Sequence, residues 1–121
     1  MAIISLAFDI DKESAGLPEG TYQFQVSEAE AAESQAGNSM INLRLNVVND
    51  PQYTGRTVFD RLVLTAGSAR RLKAFADAAG MDFRMGVDPD ELVGKIVWAE
   101  VQHEEYQGEL NARIKKYRTG R

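Results

Sequence analysis

Apolar and polar side chains alternate with period two along several stretches of the chain, and that alternation predicts its elements. Over residues 21–28, Tyr22, Phe24 and Val26 fall on one side and Thr21, Gln23, Gln25 and Ser27 on the other, the pattern of a strand with one buried face. Residues 29–38 have helical composition, but ten residues ended by Gly-Asn make a marginal isolated helix. The reading is an extension of the first strand into a polar loop. The longest alternation covers residues 40–48, with Ile41, Leu43, Leu45 and Val47 opposed to Asn42, Arg44 and Asn46. After a turn-rich loop at 49–55, a third strand over 56–64 directs Val58, Leu62 and Leu64 to the core and Thr57, Phe59, Arg61 and Val63 outward. Asp60 breaks its core row and is a candidate bulge, which would exchange the faces of Phe59 and Arg61.

The period then changes. Ser68 is a candidate helix cap, Leu72, Phe75, Ala76 and Ala79 recur at helical spacing, and Gly80 ends the run. Arg70, Arg71 and Lys73 read as a solvated face of this helix. A loop at 81–89 and a single turn at 90–94 lead to a C-terminal hairpin, two alternating arms around Gln107-Gly108. On its second arm Leu110, Ala112 and Ile114 face the core, and Asn111, Arg113, Lys115 and Tyr117 face outward. On the first, Trp98 shares a side with Ile96 and opposes Val97, Ala99 and Val101. Periodicity leaves open whether Trp98 is core or an exposed platform.

Five strands with one α-helix between strands 3 and 4 predict a mainly β fold, a five-stranded OB-fold Greek-key barrel, against an open α+β sheet. The expected organisation is a flexible N-terminal arm at 1–18, the barrel domain at 19–118 and a short tail at 119–121. With 121 residues and 44% hydrophobic content, one domain with its own core is expected.

Composition narrows the chemistry. The chain has no cysteine, which removes disulfides, thiolate metal sites and thiol nucleophiles. His103 is the single histidine and is read as solvated beside Glu104 and Glu105. Gly94-Lys95 lacks the remaining residues of a phosphate-binding loop. Asp9, Asp11 and Glu13 are spaced like a calcium loop, but Ser14 and Gly20 stand where that motif needs Gly and Glu. A non-catalytic protein without cofactor or metal is expected. The N-terminal run has no basic region and is followed by acids, and no apolar stretch is long enough to span a bilayer, so no membrane association and a cytoplasmic location are expected.

A net charge of -4 argues against coating duplex DNA by bulk charge. The distribution matters more: residues 113–121 carry Arg113, Lys115, Lys116, Arg118 and Arg121 and no acid. Proteins that hold single strands combine a positive groove with aromatic side chains on which bases stack. The outward Phe59, Tyr106 and Tyr117 interleave with Arg44, Arg61, Arg113 and Lys115, and together with Trp98 these form the candidate surface.

The run Pro18-Glu19-Gly20-Thr21-Tyr22, the passage Gly37-Asn38-Ser39-Met40-Ile41, Gly55-Arg56, and Gly94-Lys95 with Tyr106-Gln107-Gly108 resemble a family encoded in bacteriophage replication and recombination cassettes. Its members are regarded as OB-fold single-stranded DNA-binding proteins. The resemblance covers roughly residues 18–118. It implies single-stranded DNA as partner, held across the outer face by Arg44, Phe59, Arg61, Tyr106, Arg113, Lys115 and Tyr117 during replication or recombination in the host cytoplasm. Phage or host replication proteins and further copies of the chain are the other partners it suggests. The sequence departs from many single-strand binders in ending at Lys116-Tyr117-Arg118-Thr119-Gly120-Arg121, without an acidic tail. The alternatives are an OB-fold protein-interaction or oligosaccharide-binding module and a virion structural protein.

Overall fold

A computed structural model describes residues 2–7 and 17–121. Strands β1 (Gly20–Glu33), β2 (Ser39–Val48) and β3 (Thr57–Val63) are followed by a 3-10 turn (Ala66–Ser68), helix α1 (Ala69–Ala79), the single turn α2 (Pro89–Leu92), and strands β4 (Ile96–Tyr106) and β5 (Glu109–Arg118). The five strands form one antiparallel sheet in the order β3-β2-β1-β4-β5. The mainly β class and the helix between strands 3 and 4 agree with the alternation.

Residues 29–33 continue β1, as their pairing requires: Ala29 lies opposite Leu43 and Ala31 opposite Ile41. Helix α1 starts differently from the expected cap. The chain enters it through the 3-10 turn, and the Ser68 side chain makes no capping bond. Its end follows expectation, because Gly80 takes φ +69° and lets the Met81 N–H reach the Ala76 carbonyl at 2.8 Å. Leu64, expected in the core, lies just past β3 and is exposed.

The inner face of the sheet carries Phe24, Ile41, Leu45, Leu62 and Val97, and Phe75 of α1 and Leu92 of α2 close over it. Leu17, within the expected arm, belongs to this core at 1% exposure. The rest of the expected arm at 8–16, with Asp9, Asp11 and Glu13, lies outside the described residues. Leu17 to Glu19 are strapped down. The His103 imidazole donates from Nε2 to the Leu17 carbonyl at 2.8 Å, its backbone N–H donates to Glu19 at 3.1 Å, and the Tyr22 hydroxyl donates to the Pro18 carbonyl at 2.9 Å. His103, expected to be solvated, is thus half-buried on the inner side, opposite Ala112.

No register shift occurs at Asp60, where β2–β3 pairing runs unbroken from Asn46–Thr57 to Met40–Val63. The irregularities lie elsewhere. Ser27 is extra in β1, and beside it the backbone of Val26 exchanges hydrogen bonds with Lys95 and Gly94. Lys115 is extra in β5, since Ile114 pairs with Val101 but Lys116 with Glu100. A one-residue bulge switches the side on which later residues point. Tyr117, expected on the outer face, therefore points inward at 4% exposure.

Tyr117 and Asp60 meet across the gap between the two sheet edges. The Tyr117 hydroxyl donates to Asp60 Oδ2 at 2.5 Å, Arg71 pairs with the same oxygen at 2.9 Å, and Arg71 also donates to the Ile114 carbonyl at 3.0 Å. The Arg71 guanidinium lies 5.3 Å from the Tyr117 ring centre, and Phe75 packs edge-on against that ring at 4.9 Å. Arg71, expected on a solvated face, instead links α1, β3 and β5. Burial raises the Asp60 carboxyl above its usual range, against the pull of the Tyr117 hydroxyl and Arg71. Burial first, then the Asp60 charge, raises the Tyr117 hydroxyl well above its usual value.

Tyr117→Phe should cost about 1.5–3 kcal/mol, the range for a hydrogen bond to a charged group, read as a lower urea midpoint at unchanged m. Because the folded Tyr117 pKa is raised, the native state keeps this proton longer than the unfolded chain. Its contribution is complete below about pH 10 and is lost as pH rises toward the folded value. Absorbance at 295 nm should show the Tyr117 phenolate appearing only together with alkaline unfolding, and Tyr117→Phe should remove that component. The raised Asp60 value has the same sign: its contribution is full below the unfolded carboxylate pKa of about 3.9 and declines as pH rises through the folded value. Asp60→Asn should flatten that decline in pH-dependent urea melts.

Candidate nucleic-acid interface

Fixing Asp60 inward determines where its neighbours point. Side chains alternate along β3, so Phe59 and Arg61 project from the outer face, where Phe59 lies opposite Arg44 and Arg61 opposite Asn42 on β2. Phe59 is 63% exposed. The Arg44 guanidinium sits 6.0 Å from its ring centre and 3.6 Å from Glu28. A cleft of ≈ 460 Å³ is lined by Asn42, Leu43, Phe59, Asp60, Arg61 and Arg113. It opens where β3 faces β5, so a flat apolar ring and two guanidinium groups from distant parts of the chain meet there.

The other sequence candidates divide. Arg113 is on the outer face opposite Gln102 and pairs with Glu104 at 3.5 Å. Lys115 is exposed at the β5 bulge. Tyr106 is 67% exposed at the hairpin end, beside a turn in which Gln107 and Gly108 take φ of 52° and 80°. Two left-handed residues give the turn type that matches strand twist, and glycine meets the second at no steric cost. Trp98 pairs with Gln23 and Arg118 on the outer face and is half-buried. The choice left open by periodicity is thereby settled: its sheet face is opposite the core. Tyr117 is the member of the candidate set that does not belong to this surface.

The face is mixed in charge. Glu100 pairs with Lys116 at 3.2 Å and Arg118 at 3.4 Å. Slight desolvation raises its carboxyl, but Lys116, then Arg118 and Lys115, hold it below the usual carboxylate range on balance. Arg61 and Lys115 form no salt bridge among the described residues. Exposed pairs such as Arg44–Glu28 contribute only about 0–1 kcal/mol, so these cations are available to a competing anion. Chemically, the surface can stack a planar group on Phe59 and neutralise neighbouring negative charge from Arg44, Arg61 and Arg113. Among the described residues no cluster of His, Asp and Glu is placed to hold a metal ion.

Arg71 was missed by sequence reading, although a signal existed. An acid in the core row of a strand needs a cation or donors, and Arg71 borders the apolar stripe of α1.

The chain matches the family described as "Protein of unknown function (DUF669)" over residues 8–120, and it belongs to that family. No curated protein matches it.

Exposure separates the surface aromatics from the core in a stability measurement. Phe59→Ala should change unfolding free energy by no more than about 0.5 kcal/mol, as is usual at surface positions. Ile41→Ala, at 1% exposure, should cost about 2–5 kcal/mol. Chemical denaturation of both variants checks the contrast.

Proposed function

We propose that this DUF669 chain is a non-catalytic single-stranded DNA-binding protein whose strand crosses the outer face of β2–β3 and enters the cleft against β5. The observation that carries the reading is Phe59, exposed on the outer sheet face, with Arg44 over its ring and Arg61 and Arg113 at the adjoining cleft. Stacking contributes about 1–3 kcal/mol per base with little regard to sequence. The guanidinium groups would neutralise the phosphates on either side. Tyr106 at the β4–β5 hairpin and Trp98 on β4 would extend the path.

The finer fold belongs to the same proposal. Strand order β3-β2-β1-β4-β5 with β3 and β5 brought together by Asp60, Arg71 and Tyr117 supports a partly open OB barrel. That fold binds oligonucleotides on strands 2–3 and on the loops β1–β2 and β4–β5. The sequence resemblance to phage single-strand binders points the same way, toward strands exposed in replication or recombination. A protein-interaction or oligosaccharide module is the second reading. It is favoured by Tyr117 turning inward and by the acids already paired with Arg44 and Arg113.

Fluorescence anisotropy of labelled oligo-dT and a matched duplex distinguishes them. The single strand should bind preferentially, with log affinity falling against log salt by about 0.7 per phosphate contacted. Phe59→Ala should weaken binding by one stacking contribution, about 5- to 150-fold, without loss of fold. Trp98 fluorescence should change on addition of the oligonucleotide. Absence of binding at low salt would discard the reading in favour of the second.

A further inference from the structure

On the side of the molecule formed by α1, a furrow of ≈ 510 Å³ runs between the helix and the segment after it, with Ala69, Leu72, Met81 and Phe83 in its lining. A second hollow of ≈ 310 Å³ adjoins it, with Leu72 and Phe83 in the lining of both. Charges at the furrow pair with one another, Lys73 with Asp77 at 3.4 Å and Arg84 with Asp82 at 3.7 Å. The furrow thus offers apolar contact and leaves these four charges already matched. An uncharged apolar occupant fits it better than a charged peptide or a nucleic acid.

The same chain carries such a segment. Residues 2–7 read Ala-Ile-Ile-Ser-Leu-Ala, with no charge. Ile3 is 94% exposed, Ile4 88% and Leu6 58%, so the segment does not lie in the furrow of its own chain. A run of three large aliphatic side chains left in water is unusual for a monomer surface and marks an interaction site.

We infer that residues 2–7 of one copy dock in the α1 furrow of a second copy. The contact joins two different surfaces, so every chain can both give a segment and receive one, which leads to a reciprocal pair or to an array. Methionines such as Met81 adapt their shape readily and suit a furrow that receives an extended segment. The inference is independent of nucleic-acid binding, since the furrow shares none of its lining with the cleft at Phe59.

Sedimentation velocity of the full chain over a wide dilution series, without nucleic acid, tests it. The chain should self-associate and dissociate on dilution. The double variant Ile3→Asp/Ile4→Asp removes the segment. Ala69→Glu obstructs the furrow at an exposed helix position where a negative charge favours the helix N-terminus. Each should weaken association about tenfold or more. Mixing the two variants should restore a complex, because the segment lost by one and the furrow lost by the other are each intact in the partner. That restoration also shows both variants folded. A wild-type chain that stays monomeric, self-association that neither variant weakens, or a mixture that fails to associate would each overturn the inference.

Discussion

The hydrogen-bonded ion pair among Asp60, Arg71 and Tyr117 is the constraint from which the rest of the structure follows. A five-stranded sheet has two edges, and open edges are templates for unwanted pairing. Here β3 and β5 are brought face to face, and side chains rather than a backbone ladder join them. Arg71 comes from α1, reaches Asp60 on β3 and donates to the Ile114 carbonyl on β5, which lies along that edge. Desolvating the carboxylate is costly, as its raised pKa records, and is offset by the guanidinium and the phenol that converge on it. Removing one partner would leave the others buried and unmatched, the situation in which such clusters are strongly destabilising.

The same cluster aims the candidate binding surface. Because alternation is strict, an inward Asp60 requires an outward Phe59 and Arg61. The Lys115 bulge acts likewise on β5, keeping Arg113 outward while bringing Tyr117 in. The side-chain contact between β3 and β5 and the presentation of the cleft therefore depend on the same strand geometry. Its stability and its chemistry rest on neighbouring residues of β3 that point in opposite directions.

Electrostatics on the outer face are local rather than global. An acidic chain of net charge -4 can present a usable anion surface where its cations gather, and the exposed acids beside Arg44 and Arg113 hold them only weakly. Salt should therefore weaken the internal pairs on this face.

Alternation by itself determined the strands of the sheet, the inward Tyr22, Phe24, Ile41 and Leu45, and the outward Arg44, because a period of two is a local property of extended backbone. Phe59 and Arg61 turned on whether the chain bulges at Asp60, and the unbroken β2–β3 pairing placed them outward. Glycine and turn chemistry likewise determined the hairpin at Gln107-Gly108 and the end of α1 at Gly80. Tertiary structure decided what depends on distant partners. The inward turn of Tyr117 follows from one extra residue opposite β4, the recruitment of Arg71 from an acid eleven residues earlier on another element, and the tether of His103 from a carbonyl at Leu17. Trp98 was undecided in sequence because both sides of β4 carry apolar residues, and its pairing with Gln23 of β1 placed it outside. A bulge or a cross-edge contact changes no local propensity, so only the packed chain could fix them.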